Sequence, residues 1–115
     1  MRIAIIGSRG YAHPEEVIDY VDSLDLSVIV VSGECKDGPD KIAEDRAKDR
    51  GMTFEGYPAD WTKGKGAGFV RNGDIAKACD RLKAFWDGES NGTMDTIKKA
   101  LKLKKPVSIS VSMNK

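Results

Sequence analysis

The chain has 115 residues, of which 40% are hydrophobic and 32% charged, and its formal net charge is +1. This length suits a single domain with one core, and the balance of residue types excludes a disordered or fibrous chain. The near-neutral charge also gives no bulk signal for a polyanionic partner.

The first predicted strand is the apolar run Ile3 to Ile6, which ends at Gly7. The run is too short for the apolar segment of a signal peptide. No run approaches the roughly 20 residues of a membrane-spanning helix, so we expect a cytoplasmic protein with no membrane partner. A helix then begins at Pro14 and places Val17 and Val21 on one face.

The middle of the chain repeats this alternation. A second strand, Val28 to Val31, precedes a helix that we expect to run from Pro39 to Gly51. Strands that are apolar on both faces are typical of a parallel sheet covered by helices. Thr53 to Tyr57 is a weaker third strand.

After a long polar, glycine-rich loop, two more helices flank a fourth strand, Leu82 to Trp86. The apolar residues that mark these helices are Val70, Ile75 and Cys79 in the first and Met94, Ile97 and Leu101 in the second. The last strand, from Val107 to Ser112, alternates valine or isoleucine with serine. This period of two predicts an edge strand with one face in water.

The order of the elements predicts an α/β fold, a Rossmann-like three-layer sandwich around a five-stranded parallel sheet. The first two strands are central and the last is an edge, which the strand order 3-2-1-4-5 satisfies. This order places the topological switch point between strands 1 and 4, where open α/β sheets bind ligands beyond their carboxyl ends. Residues 1–115 are expected to form one domain.

Two loops meet at that switch point. Gly7, Ser8 and Arg9 follow strand 1, where glycine lets backbone amides approach an anion and arginine suits phosphate. Gly92 and Thr93 open the last helix and give a second helix N-terminus. The other predicted ligand contacts of that loop are Trp86, Asp87, Gly88 and Ser90. Two facing anion-binding loops predict a site for a phosphate-bearing ligand.

Two further segments are expected to contribute. Ser32 and Gly33 follow strand 2 and would line the same cleft. The loop after strand 3 is long and cationic, and such a loop in a compact domain is usually functional. From this loop and the helix that follows it we expect ligand contacts by Trp61, Lys65, Gly66, Ala67, Arg71 and Asn72. Its glycine spacing matches neither a P-loop nor a dinucleotide fingerprint.

Several side chains fit two roles. Trp86 suits either stacking on a base or packing in the core. Lys83, inside a predicted central strand, either reaches the end of the sheet or points into the site. Cys35 and Cys79 have no further thiol or histidine at metal-ligand spacing, so we expect free thiols. Neither a metal nor a cofactor is predicted.

Five motifs follow one another along the chain: Gly7-Ser8-Arg9, Ser32-Gly33, Pro58-Ala59-Asp60-Trp61, Gly66-Ala67-Gly68 with Arg71-Asn72, and the loop Phe85 to Thr93. This ordered set resembles the YspA-like branch of the SLOG superfamily, which also holds the DNA-processing protein A family and the lonely-guy phosphoribohydrolases. The resemblance implies a Rossmann-like fold, a homo-oligomer, and a site for nucleotides or for derivatives related to NAD or ADP-ribose. The positions that match the ligand loops of that family are Gly7, Ser8, Arg9, Gly33, Arg71, Asn72, Gly92 and Thr93.

The chain departs from these relatives at two places. Glu34 stands where similar proteins have a second glycine, and a carboxylate there either repels phosphate or binds a sugar hydroxyl. The phosphoribohydrolases carry a Pro-Gly-Gly-x-Gly-Thr-x-x-Glu pattern, in which Thr96 of this chain takes the glutamate position. Asp95 is adjacent but out of register.

The leading hypothesis is therefore the binding or sensing of a nucleotide-like molecule at the carboxyl ends of the sheet. The alternative is a hydrolase that cleaves an N-glycosidic or phosphate bond, with Glu34, Asp87 and Asp95 as candidate acids or bases. Single-stranded DNA binding is disfavoured because the charge is near neutral and only 7% of residues are aromatic.

Overall fold

Strands and helices alternate along the chain in the computed structural model, which describes residues 1–112. The strands are β1 (Arg2–Gly7), β2 (Ile29–Ser32), β3 (Phe54–Gly56), β4 (Arg81–Trp86) and β5 (Val107–Val111). The helices are α1 (Pro14–Asp22), α2 (Gly38–Asp49), α3 (Ala67–Ala78) and α4 (Asn91–Lys102). A 3-10 turn, Trp61–Lys63, lies in the long loop between β3 and α3.

The strands pair in parallel in the order β3-β2-β1-β4-β5, which confirms the predicted sheet. Gly7 at the end of β1 lies opposite Phe85 of β4, so the loops after these strands leave the sheet side by side. The neighbour of β1 on its other side is β2. The switch point therefore lies between β1 and β4, as the sequence predicts.

Two apolar layers cover the two faces of the sheet. Alternate residues of β1 point to opposite faces, since side chains in a strand repeat every two residues. Ile5 packs with Val17, Phe85 and the helices α1 and α2, whereas Ile6 packs with Ile75 and the helices α3 and α4. This double burial explains why β1 is apolar without interruption.

Not all of the apolar residues that mark α3 and α4 are buried. Val70 of α3 and Leu101 of α4 are 67% and 55% exposed, although their apolar character suggested core positions. The buried surface between sheet and helices is instead built partly from small residues, including Ala76 and Ala100, which are fully buried. Small side chains let these helices approach the sheet and each other closely, whereas Val70 and Leu101 lie on the outer faces of their helices.

The edge strand β5 also differs from its predicted pattern. Among residues 1–112 it pairs only with β4 and is an edge, as expected. Its apolar residues are not well covered, however, since Ile109 is 43% and Val111 52% exposed. Ser110 is half-buried instead, because its hydroxyl accepts a hydrogen bond from Lys83 Nζ at 2.8 Å.

Lys83 is accommodated on the face of the sheet opposite the predicted site. Its ammonium lies 5.1 Å from the ring centroid of Phe85 and 5.5 Å from that of Tyr20. The hydroxyls of Ser108 and Ser110 on β5 accept hydrogen bonds from this ammonium. Cation–π contacts and hydroxyl acceptors explain how a lysine is tolerated in a central strand, and they link β4 to the edge.

Within residues 1–112, no helix combines the length and the apolar character needed to cross a membrane. Both cysteines are free thiols, as expected, with Cys79 buried and Cys35 half-buried.

Candidate functional site

A cleft of about 330 Å³ lies at the switch point, beyond the carboxyl ends of β1 and β4. Its walls are the loops after these strands, the segment from the end of β2 to the start of α2, and the helices α3 and α4. It brings together the predicted ligand-binding residues Gly7, Ser8, Arg9, Arg71, Asn72, Asp87, Ser90, Gly92 and Thr93. The remaining lining residues are Ile6, Gly10, Cys35, Asp40, Ile75 and Thr96.

Three hydroxyls join the two loops of the cleft. Ser8 Oγ lies 3.1 Å from Thr93 Oγ1, and Thr93 Oγ1 lies 3.2 Å from Ser90 Oγ. Ser8 Oγ also accepts a hydrogen bond from the backbone amide of Asp87 at 3.1 Å. Since hydroxyls both donate and accept, this cluster can reorient to donate to an anion without leaving a buried group unpaired.

The N-terminus of α4 is held open toward the cleft. Ser90 caps the helix by accepting from the amide of Thr93 at 3.3 Å. The Asp87 carboxylate accepts from the amides of Glu89 and Ser90 at 2.9 and 2.8 Å, and these bonds lower the pKa of Asp87 below its ordinary value. A Cβ on Gly92 would meet nothing closer than Ser90 Oγ at 4.0 Å. The positive end of the helix dipole therefore faces accessible space.

Asp40 is a buried carboxyl that ties together the ends of β1 and β2. It accepts from the amides of Gly7 at 3.1 Å and Gly33 at 3.2 Å and is only 7% exposed. Burial raises the pKa of Asp40 above its ordinary value, and the neighbouring Ser32 hydroxyl and the two amide hydrogen bonds oppose that rise. Two amides that the sequence suggested for an external anion are thus already paired within the protein.

The tight turn at Gly7 also has an internal cause. A Cβ on Gly7 would overlap the ring of Pro39 and lie 2.6 Å from the carbonyl oxygen of Phe85. Glycine is therefore required there by the packing of β1 against α2 and β4. The backbone amides that remain accessible to the cleft are consequently sought on the α4 side rather than the β2 side.

Arg71 spans the cleft from α3. Its guanidinium donates to the carbonyl oxygens of Gly33 and Tyr57 at 3.3 and 3.4 Å and, through Nε, to Asn72 Oδ1 at 3.1 Å. A Cβ on Gly33 would lie 2.5 Å from Arg71 Nη1, so glycine at this position makes room for the arginine. The position of this cation is fixed by β2, β3 and its own helix.

Asn72 connects Arg71 to the start of α4. Its amide nitrogen donates to the carbonyl oxygen of Gly92 at 3.3 Å and to Asp95 Oδ2 at 3.1 Å. The same Asp95 oxygen accepts from Lys99 Nζ at 2.7 Å. Because two acceptors hold the Asn72 nitrogen, its oxygen must face Arg71. Asp95, a candidate catalytic carboxylate from the sequence, is thereby engaged in α3–α4 packing.

Other predicted site residues lie around the cleft rather than in its lining. Glu34 folds its side chain over Gly56 of β3, on the far side of β2 from the cleft. Ser32 Oγ donates to the carbonyl oxygen of Ile5 within the sheet. Trp86 Nε1 donates to the carbonyl oxygen of Ser90 at 3.1 Å, so the indole braces the loop before α4.

Gly88 provides a turn with φ of +85° in the same loop. Gly66 and Ala67 line a neighbouring groove, Trp61 is 64% exposed, and Lys65 is exposed on the loop between the 3-10 turn and α3. The cleft and its surroundings thus divide the predicted residues into a lining group and a bracing or peripheral group.

Sequence reasoning missed the floor of the cleft and its buried acid. Ile6, Ile75 and Thr96 form the floor, and their apolar or helical positions indicate only core in the sequence. Asp40 follows Pro39 in the first turn of a helix, where an acidic residue is normally a cap or a dipole partner. Only the three-dimensional approach of β1 and β2 distinguishes it from such a cap.

Comparison with known families supplies an independent assignment. The model of the YspA, cpYpsA-related SLOG family, YAcAr, matches residues 1–64. The chain belongs to this family. A comparison with curated proteins found no match to the chain. Membership of the SLOG family indicates a nucleotide-related function.

The matched part of this SLOG-family chain runs from β1 to the end of the 3-10 turn. It includes the loop at Gly7, Ser8 and Arg9 and the strand end at Gly33. The α4 side of the cleft, with Ser90, Gly92 and Thr93, lies outside the matched residues, so its role is argued from its geometry.

Proposed function

We propose that the protein binds a nucleotide or a nucleotide-derived small molecule, with a phosphate group at the N-terminus of α4. The observation that carries this proposal is the meeting of that helix end with the Ser8, Ser90 and Thr93 hydroxyls in one open cleft. Helix N-termini favour anions because their amides are unpaired and the helix dipole is positive there.

The cationic side chains of the cleft also favour a bound anion. Arg71 is fixed at one wall by two carbonyl oxygens, and Arg9 stands at the mouth with its side chain 79% exposed. Arg9 Nε lies 3.4 Å from a carboxylate oxygen of Asp37, an exposed ion pair that contributes little and can be exchanged for a ligand contact. Arginine in both positions suits bidentate contact with phosphate.

Binding without hydrolysis fits the carboxylates better than catalysis does. A general acid or base must reach the scissile bond directly or through one water. Asp87 is held by two backbone amides, Asp95 is paired with Lys99, and Glu34 folds over β3. Each of these three candidates from the sequence is thus already engaged by other parts of the protein.

Thermal shift measurements with AMP, ADP-ribose, NAD and inorganic phosphate test the proposal. A ligand that binds only the native state must raise the melting temperature, and the stabilisation is about 2.7 kcal/mol at a hundredfold excess over Kd. We expect a concentration-dependent rise with at least one nucleotide. Absence of any rise at millimolar concentrations would contradict the proposal.

The pair Gly92→Asp and Gly92→Asn locates the phosphate. The two side chains have the same shape, and the space beside Gly92 can hold them. An acidic residue in the first turn of a helix is compatible with its dipole, so we expect both variants to fold. Binding by the Asp variant should fall at least tenfold below binding by the Asn variant. Equal affinities would place the phosphate elsewhere.

A further inference from the structure

A second cavity of about 330 Å³ lies beside the cleft, between the loop after β3 and the outer face of α3. We call it the α3 groove. Its lining residues are Pro58, Asp60, Lys63, Gly66, Ala67, Val70, Arg71 and Asp74. Arg71 lines the cleft as well, so the two cavities meet at its side chain.

Arg71 is a fixed boundary between the cavities. Its hydrogen bonds to Gly33, Tyr57 and Asn72 come from three different segments of the chain. A ligand with its phosphate in the cleft would therefore have to pass this guanidinium to place another group in the groove. An arginine at the junction is well suited to contact the phosphate or the sugar that joins two such groups.

The chemistry of the α3 groove differs from that of the cleft. Pro58, Ala67 and Val70 offer apolar surface, and the Val70 side chain is largely exposed to the groove and to solvent. The charges of the remaining side chains cancel, since Asp60 and Asp74 stand against Lys63 and Arg71. Apolar walls without net charge suit an uncharged, flat group rather than a second phosphate.

Asp74 gives the groove a hydrogen-bond acceptor. Within residues 1–112 its side chain makes no hydrogen bond or ion pair, whereas Asp60 is engaged by Thr62 and lies 4.0 Å from Lys63. A carboxylate at neutral pH can only accept hydrogen bonds. It therefore favours a partner that presents N–H groups, such as the exocyclic amine of a nucleobase.

We propose that the α3 groove is the subsite for the base of the bound nucleotide and that it selects bases carrying an exocyclic amine. This inference rests on the proposed function, because it assumes that the phosphate lies in the cleft. Arg71 then lies between phosphate and base, Val70 and Pro58 contact the faces of the base, and Asp74 accepts from its amine.

Isothermal titration with AMP, IMP and inorganic phosphate tests the selectivity. IMP replaces the amine of AMP with a carbonyl oxygen, which would face the Asp74 carboxylate. A site that pairs with a substrate N–H strongly disfavours an analogue that presents an acceptor at that position, and the N1–H of IMP lies at a different point of the ring. We expect AMP to bind at least tenfold more tightly than IMP, and Asp74→Ala to remove this difference without changing phosphate binding.

The variant Val70→Trp tests the location. It fills the groove from an exposed position, and Lys77→Trp, exposed on the same helix but outside the groove, is the matched control. We expect Val70→Trp to weaken AMP at least tenfold and to leave phosphate unchanged, and Lys77→Trp to change neither.

The outcomes separate this inference from the proposed function. If AMP binds and Gly92→Asp weakens it, but Val70→Trp does not, the base lies outside the groove and the inference is overturned while the proposed function stands. Equal affinity for AMP and IMP likewise overturns the selectivity. If none of AMP, ADP-ribose, NAD and phosphate binds, both proposals fail together, whereas binding of ADP-ribose or NAD without AMP overturns this inference alone.

Discussion

At the scale of single residues, the buried acid Asp40 shows how the protein satisfies its own strand ends. An external phosphate would compete with Asp40 for the amides of Gly7 and Gly33. Ligand binding on the α4 side leaves these bonds intact. We therefore expect a ligand to bind on that side, because the alternative would leave the buried Asp40 carboxyl unpaired.

Replacing Asp40 with Asn makes the stability of the protein less dependent on pH. Because burial raises the pKa of Asp40 above 3.8, its native-state advantage is complete below the unfolded value and is lost as pH rises through the folded value. Wild type should thus lose stability relative to Asp40→Asn as pH rises from about 4, by about 1.4 kcal/mol for every tenfold difference in proton affinity between the folded and unfolded carboxyl. Urea unfolding at several pH values measures this.

The exposed neighbour Asp37, with 67% of its side chain in solvent, gives the control Asp37→Asn for the loss of one carboxylate next to α2. If wild type instead gains stability relative to Asp40→Asn as pH rises, the hydrogen bonds to Asp40 lower its pKa by more than burial raises it.

The Asn72–Asp95 pair is a partly buried hydrogen bond in which the Asn72 amide donates and the Asp95 carboxylate accepts. Asn72→Asp would set a carboxylate oxygen against Gly92 O and Asp95 Oδ2, and we expect a loss of about 2 kcal/mol or more. Adding Asp95→Asn should recover about 1 kcal/mol, because the new amide at position 95 can donate to the new carboxylate at position 72. Chemical denaturation of the two single variants and the double variant gives the coupling energy. Strict additivity would exclude the pairing.

At the scale of elements, alternation of strands and helices was predictable because it follows from local periodicity. The buried runs at β1 and β2 indicated the centre of the sheet, and the serine alternation indicated β5 as its edge. The faces of α3 and α4 were harder to predict. Ala76 and Ala100 are fully buried while Val70 is exposed, and only the distance between packed elements decides which residue is covered.

A glycine inside a helix and a glycine just after a helix should respond in opposite ways to replacement by alanine. Gly73 lies inside α3, where a Cβ would meet only Lys99 Cδ at 3.9 Å, so Gly73→Ala should stabilise by about 0.5–1 kcal/mol. Gly51 follows α2 with φ of +74° and open space around it. Gly51→Ala should destabilise by about 1 kcal/mol through backbone strain alone. Thermal unfolding of both variants tests the contrast, which equal signs would contradict.

At the scale of the whole molecule, the position of the cleft was predictable from topology. Once β1 and β4 are neighbours, their loops must share one end of the sheet, so Ser8 and Thr93 meet although 85 residues separate them. The depth of the cleft was not predictable. Its floor at Ile75 and Thr96 and its wall at Arg71 depend on how far α3 and α4 stand from the sheet, which no local pattern encodes.

The reactivity of the two thiols measures the accessibility of the cleft and of the α3–α4 layer separately. Burial raises the pKa of both Cys35 and Cys79 above 9.0, so thiolate labelling of either should be slow at neutral pH and should increase as pH rises. Cys35 lines the cleft and is half-buried, whereas Cys79 is fully buried in the α3–α4 layer. A thiol reagent should therefore label Cys35 in the native state and Cys79 only on global unfolding.

The variant Cys35→Ser leaves Cys79 as the only thiol. The labelling rate of Cys79 in increasing urea should then follow the free energy of global unfolding. In wild type, a nucleotide in the cleft should slow labelling of Cys35 directly by covering it. It should slow labelling of Cys79 only by as much as it stabilises the whole fold. Fast labelling of Cys79 in the native state would show that α3 and α4 separate from the sheet without global unfolding. Arg71, which lies on α3, would then not hold a fixed position at the cleft.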